Sequence, residues 1–448
     1  GTLLNPDCYF DGVSINSRTI NEGDLFVALV GERFDAHKFL PEAAAVASGL
    51  VVSKADKSLP LPQWVVEDTT VALGQIARLR RETFAGPVIA ITGSTGKTSV
   101  KELTASILRQ RGSVHATAGN LNNHIGVPLT LLAMDGDTEF AVIEMGASAG
   151  GEIGYLCSIA EPDIALINNV QSSHIEGFGS VEAVASAKGE IYSGLKSAGI
   201  AIVNLDQPWC DQWRELIDGK PSLTFSVSDA AADISATAIN VMANGCCSFV
   251  LRVNLISGQP ALEQPVELSI PGTHAVENAL AASACALAAG ASLEQIAAGL
   301  GLVSAIAGRL EFKPLANNSA VIDDSYNASP SSFRAAIDVL ANRAGRKILV
   351  MGDMAELGED SINMHSEVGA YALEAGIDAL YAVGEQSASA CAAFGGNHFQ
   401  SRELLATAVA QELSRASADN RPVTFLVKGS RSAGMEKIVE HLITRGNT

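Results

Sequence analysis

The chain has 448 residues, 47% hydrophobic and 18% charged, with a formal charge of −19. That length suits about three domains at roughly 150 residues each. So negative a chain excludes nucleic acid as a partner, because a phosphate backbone needs clustered lysine and arginine.

Residues 1–84 read as a small α/β N-terminal domain with a connecting helix. "DLFVAL" is a short apolar strand, and "PEAAAVASGL" after it is read as a helix. "TTVALGQIARLRRETF", 69–84, is the connector, with Val71, Leu73, Ile76, Ala77 and Leu79 expected on one broad buried face.

Residues 85–307 turn to strand–loop–helix. The runs "PVIAIT", "FAVIEMG", "DIALINNV" and "IAIVNLD" show little alternation, which marks strands buried on both faces of a parallel sheet. "CCSFVLRVNL" and "PVELSI" do alternate, and imply an antiparallel excursion. "ALAASACALAAGASL" is too short and too rich in serine to cross a membrane, so no membrane insertion is expected.

Residues 308–448 repeat the α/β pattern with "SAVIDDS", "KILVMGD", "DALYAVGE" and "VTFLVKGS", as a Rossmann-like domain would. Ligands of open parallel sheets bind beyond the strands' carboxyl ends. Position alone therefore makes Asp323, Asp324, Asp353, Lys428, Ser430 and Arg431 candidates. The fold class is α/β with three domains, the central one a parallel-sheet ATPase domain built on a phosphate loop.

Seven scattered cysteines without a C-x-x-C pair read as reduced thiols, not a disulfide frame or zinc site. No leader pattern appears, so a cytoplasmic protein is expected.

The strongest local signal is "VIAITGSTGKTSV". The generic phosphate loop, G-x-x-x-x-G-K-[ST], would need a glycine where Ile91 stands. The context is nevertheless complete, with a buried strand before Gly93 and a helix from Lys97 whose Val100, Leu103, Ile107 and Leu108 make a buried face. Gly93 and Gly96 let backbone N–H groups converge on an anion, and the helix start adds a favourable dipole. Lys97 can reach β- and γ-phosphates, and the Thr98 hydroxyl is placed for Mg²⁺. Glu144 ends the strand "FAVIE", where a metal-holding carboxylate would stand. His174 and Lys188 are ambiguous from the residues alone. A lone histidine is usually structural, and a helical lysine is usually solvated.

Together these stretches resemble the Mur ligases, ATP-dependent amide-forming enzymes of peptidoglycan synthesis. Their short T-G-x-x-G-K-[ST] loop is matched by Thr92, Gly93, Ser94, Thr95, Gly96, Lys97 and Thr98, followed by Ser99. Further matches are "TAGNLNNHIGVPLTLL", "HIEGFGS", "AKGEIYSGL", "PGTHAVENALAA", "AGRLE", "DDSYNASPSS", "MGDMAELG" and "VKGSRSAGME". The chain departs from the family pattern at Asn16, Ala275 and Ala307.

The resemblance implies an ATP site at Thr92–Ser99 with His274, Asn278, Arg309, Asp324, Tyr326 and Asn327. It implies two Mg²⁺ sites, the first on Thr98 and Glu144, the second on His174 and a carbamylated Lys188. Lys97, Glu144, His174, Lys188 and Arg309 are the implied catalytic set. Ser17, Arg18, Arg33, Phe34, Asp35 and His37 match a cradle for a UDP end, Asn120, Asn122 and Asn123 a muramoyl-peptide loop, and Lys428, Ser430 and Arg431 a contact to substrate carboxylates. Of the family's reactions, the motifs favour joining D-alanyl-D-alanine to UDP-N-acetylmuramoyl-tripeptide, by a monomer in the bacterial cytoplasm. The alternatives are a sister ligase, a folylpolyglutamate synthase-like enzyme, or a nucleotide-hydrolysing switch.

Overall fold

The computed structural model describes residues 1–5, 9–171, 175–242, 244–255, 259–304 and 306–446. They build three sheets of five, nine and six strands, with helices packed on them.

The nine-stranded sheet positions the site. In spatial order its strands are Leu262–Pro271, Cys246–Val253, Ile234–Val241, Ser222–Ser226, Ile200–Asn204, Ile164–Ile167, Val88–Thr92, Phe140–Glu144 and Val114–Ala116. Neighbours run parallel except at the first two listed strands, which pair antiparallel as the alternating runs required. Successive side chains of a strand point to opposite faces. Ile89 and Ile91 therefore join one core, with Val100, Leu103 and Ile107, while Val88 and Ala90 join the other, with Leu156, Tyr192 and Trp213. Both faces are covered, which explains the unbroken apolar runs.

The Ala-rich stretch is the buried helix His274–Ala288, lying on the same face as the helix Lys97–Leu108. Among the described residues no helix is long and apolar enough to cross a membrane.

The six-stranded sheet is ordered Glu311–Pro314, Ala320–Asp324, Val423–Lys428, Arg346–Gly352, Ala379–Val383 and Asn397–Phe399. All its neighbours are parallel except the first pair. Separate apolar clusters cover its two faces.

Two local expectations need correction. The helix in "PEAAAVASGL" ends at Ala44, and Gly49–Val52 is a buried strand, since the β-branched end of that run extends naturally. In the connecting helix, Thr69–Glu82, the buried face is Ala72, Leu73, Ile76, Ala77 and Arg81. Val71 and Leu79 are 44% and 60% exposed. At about 100° per residue Val71 lies nearly opposite Leu73's stripe, and Leu79 falls off its edge.

Candidate active site

The strand Val88–Thr92 delivers the loop 93–96 to the start of the helix Lys97–Leu108. Amides of the next strand's end hold that loop. Ser94 N donates to Asn169 O and Thr95 N to Asn169 Oδ1, both at 2.9 Å, while Asn168 Nδ2 donates to Thr95 O at 3.1 Å. Gly96 has φ +76°, and a Cβ there would stand 2.5 Å from Asn278 Oδ1 and 2.6 Å from Asn168 Nδ2. Only glycine meets both demands.

Lys97 curls over the loop, its Nζ donating to Gly93 O at 2.7 Å and Ser94 O at 3.3 Å. Burial lowers its pKa, Glu144 opposes that shift, and Arg309 adds to it.

Glu144 lies one strand over, in register with Ile91. It is buried, accepting from Thr98 Oγ1 at 2.9 Å and from Asn122 Nδ2 at 2.8 Å. The pairing of Thr98 with Glu144 expected from their strand ends is therefore present. Asn122 lines the cavity, and its amide orients Glu144. Asn123 caps the helix Gly126–Leu132 through Oδ1, to Gly126 N at 2.9 Å, while Asn120 is exposed and does not line the cavity.

That cavity measures about 880 Å³ and opens between the central and C-terminal sheets. Ser94 to Ser99, Asn122, Glu144, His274 and Asn278 line one side; Arg309, Asp324, Tyr326, Asn327, Lys428 and Arg431 line the other. Thr92 lies just behind, donating to Met145 O at 2.8 Å. His274 is held neutral chiefly by burial, which depresses its pKa.

On the C-terminal side the charges are already matched. Lys428, 2% exposed, donates to Asp324 Oδ2 at 2.5 Å and Asn327 O at 2.9 Å. Its ammonium is thus paired within the cavity wall, and a substrate carboxylate would compete with Asp324 for it. Asp324 Oδ1 also accepts from Leu310 N at 3.1 Å, fixing the segment that carries Arg309. The Arg309 guanidinium lies 4.3 Å from the Tyr326 ring centre and that of Arg431 5.8 Å. Ser430 is buried, its N bonded to Asp353 O at 2.8 Å. Asp353 accepts from Ser387 N at 2.7 Å, and Asp323 pairs with Lys313 at 3.1 Å, so both serve the fold.

Lys188 sits inside the helix Val181–Ser193, 1% exposed. Burial drives its pKa well down, and the Lys97 charge pushes the same way. Its burial favours the uncharged amine over the solvated charge of an ordinary helical lysine. His174 lies outside the described residues.

The N-terminal set stands apart from the cavity. His37 Nε2 accepts from Ser53 N at 3.0 Å, so its Nδ1 carries the proton it donates to Asp35 Oδ1 at 2.7 Å. Asp35 also caps the short helical turn Ala36–Phe39. Both side chains thus shape the loop expected to cradle the UDP end. Ser17, Arg18, Arg33 and Phe34 remain accessible, with Phe34 stacked on Phe39 at 5.7 Å.

The sequence reading does not single out Asn168, Asn169 and Gln171, whose signal is the run of amides closing "DIALINNVQ".

A lysine-bearing phosphate loop with a Thr–Glu pair beside it, facing a second α/β wall across one cavity, defines a nucleotide-using enzyme of the multidomain ligase type. Residues 91–286 match the Mur ligase middle domain, and residues 308–431 the Mur ligase glutamate ligase domain. The UDP-N-acetylmuramoyl-tripeptide–D-alanyl-D-alanine ligase of Escherichia coli K12 is 44% identical, over 100% of this chain and 96% of its own. The crystal structure of MurF from Acinetobacter baumannii superposes with a TM-score of 0.88 at 36% identity, covering 96% of this chain and 93% of that one. MurF ligase from Thermotoga maritima, in complex with ADP, superposes at 0.84 with 28% identity, covering 97% of each chain. The chain belongs to the Mur ligase family.

Proposed function

We propose that the protein is an ATP-dependent, ADP-forming ligase that joins D-alanyl-D-alanine to UDP-N-acetylmuramoyl-tripeptide, completing the pentapeptide precursor of peptidoglycan. What carries the reading is the cavity, with Lys97, Thr98 and Glu144 facing Arg309 across it, in a chain 44% identical throughout to a ligase of that name. The domains are taken as 1–84, 85–307 and 308–448, bringing the UDP end, the ATP and the amine together from three sides.

ATP phosphates lie against the loop amides, and Lys97 exchanges its contacts to Gly93 O and Ser94 O for phosphoryl oxygens. The tripeptide's terminal carboxylate attacks the γ-phosphorus and ADP leaves, giving an acyl phosphate. The amine of D-alanyl-D-alanine then attacks that carbonyl, phosphate departs, and the amine loses a proton. Lys97 and Arg309 offset charge gathering on the transferred group.

The oxygens of Thr98 and Glu144, 2.9 Å apart at the cavity wall, are the hard donors Mg²⁺ takes. Mg²⁺ bound there neutralises phosphoryl charge. Asn122 keeps Glu144 aimed. An uncharged amine, the form that burial of Lys188 favours, is the one that adds to CO₂, and loss of a proton would then leave a carbamate anion. With His174 it makes the proposed second metal site, which rests on the family resemblance.

The test is phosphate release from MgATP and UDP-N-acetylmuramoyl-tripeptide, with and without D-alanyl-D-alanine. Release needing both acceptors, with a product of pentapeptide mass, is the expected result. Release indifferent to the dipeptide overturns the assignment and leaves a nucleotide hydrolase.

A further inference from the structure

Gln171 lies outside the phosphate loop, yet it touches both walls of the cavity. Its main chain is pinned to the loop, with Gln171 N donating to Ser94 Oγ at 2.9 Å and Ser94 Oγ donating back to Gln171 O at 3.2 Å. Its Oε1 accepts from Thr95 Oγ1 at 3.2 Å, a hydroxyl whose one proton is shared with Asn169 Oδ1. The same Oε1 accepts from Ser331 Oγ, 160 residues further along the chain.

Ser331 lies in the first turn of the helix Pro330–Ala341, and that helix buries Phe333, Ile337 and Leu340 in the C-terminal core. A shift at Ser331 therefore moves a packed element rather than a loose loop, because close-packed interiors do not absorb such shifts locally. One amide oxygen thus links a loop residue that feels phosphate with a helix that anchors the opposite wall.

We infer that Gln171 is a positioning residue that couples occupancy of the phosphate loop to the seating of the C-terminal domain. This deepens the ligase reading and rests on it, since the two walls must meet around ATP for phosphoryl transfer. Gln171 performs no chemistry. It transmits the state of Thr95 to Ser331.

The test is backbone hydrogen exchange over residues 325–341 with and without MgADP, in the wild type, Gln171→Ala, Ser331→Ala and the double variant. The wild type is expected to show slowed exchange there on MgADP addition. Each single variant should lose most of that protection, the double variant should lose no more, and Ser331→Thr, which keeps the hydroxyl, should regain it. In steady-state ligation the singles should lose about five- to tenfold in kcat/KM for the amine substrate, the scale of one hydrogen bond, with MgADP binding weakened by no more than that factor, because the coupling is reciprocal. Protection that survives both single variants, losses that multiply in the double, or no nucleotide-linked protection in the wild type would each overturn the inference. Phosphate release that ignores the dipeptide while this coupling persists would instead count against the ligase assignment alone.

Discussion

Two lysines, one in the central domain and one in the C-terminal domain, are equally hidden and electrostatically opposite. Lys188 in the central domain is 1% exposed, with burial and Lys97 both acting against its charge. Lys428 in the C-terminal domain is 2% exposed and grips Asp324 at 2.5 Å. Burial alone therefore does not tell what a lysine does; its partner decides. Burial disfavours the charge of Lys188, whereas Asp324 holds the charge of Lys428 in place.

The same contrast can be pressed by mutation, beginning with the largest effect. Lys97→Ala should lower ligation at least about a thousandfold, the scale of removing a preorganised charge from phosphoryl transfer. Its melting temperature should stay within about 2 °C of wild type, since among the described residues Lys97 donates to the loop carbonyls of Gly93 and Ser94. A normal rate in a steady-state assay would remove the loop from the mechanism.

Lys428→Met strands Asp324 in a buried site and should destabilise the protein by about 3–5 kcal/mol in urea titration. Lys188→Met makes the identical substitution in the other region. Replacing a neutral, buried amine by an apolar chain of similar volume should change stability by less than about 1.5 kcal/mol and favour folding. If both variants lose stability alike, the contrast between the two lysines is wrong.

Asn122→Ala leaves Glu144 bonded to Thr98 but no longer aimed by an amide. About a ten- to hundredfold loss in apparent Mg²⁺ affinity or turnover is expected from a metal titration of activity.

The smallest effect is on pH dependence. Burial lowers the Lys188 pKa in the folded protein, so between that lowered value and about pH 10.4 the unfolded state binds more protons. Stability should thus rise with pH toward that value, and Lys188→Met should flatten the slope in urea titrations between about pH 7 and 9.5. His274 and His365 act with the same sign at lower pH, both depressed mainly by burial. Their contribution is present above about pH 6.5 and is lost as pH falls below it.

How much was legible follows from how far apart the partners lie in the chain. Gly93 to Thr98 are contiguous, so their spacing is itself the geometry of the site. The placement of Glu144 at the end of a neighbouring strand was readable from the pattern of the strands. Asn122 reaches Glu144 over 22 residues, Lys428 reaches Asp324 over 104, and Ser331 reaches Gln171 over 160. Nothing local in "VKGS" shows that its lysine is spent, and nothing in "AVASAKGE" shows that its lysine is dry. Likewise "ERFDAH" exposes two polar side chains to the reader, but only the folded loop reveals that Asp35 and His37 bond to each other.

By itself the sequence determined the α/β class, the phosphate loop and the strand ends on which chemistry could stand, because backbone geometry and side-chain period are local properties. The tertiary structure decided which charges stay open and which are cancelled, because desolvation and pairing depend on neighbours the chain brings from far away.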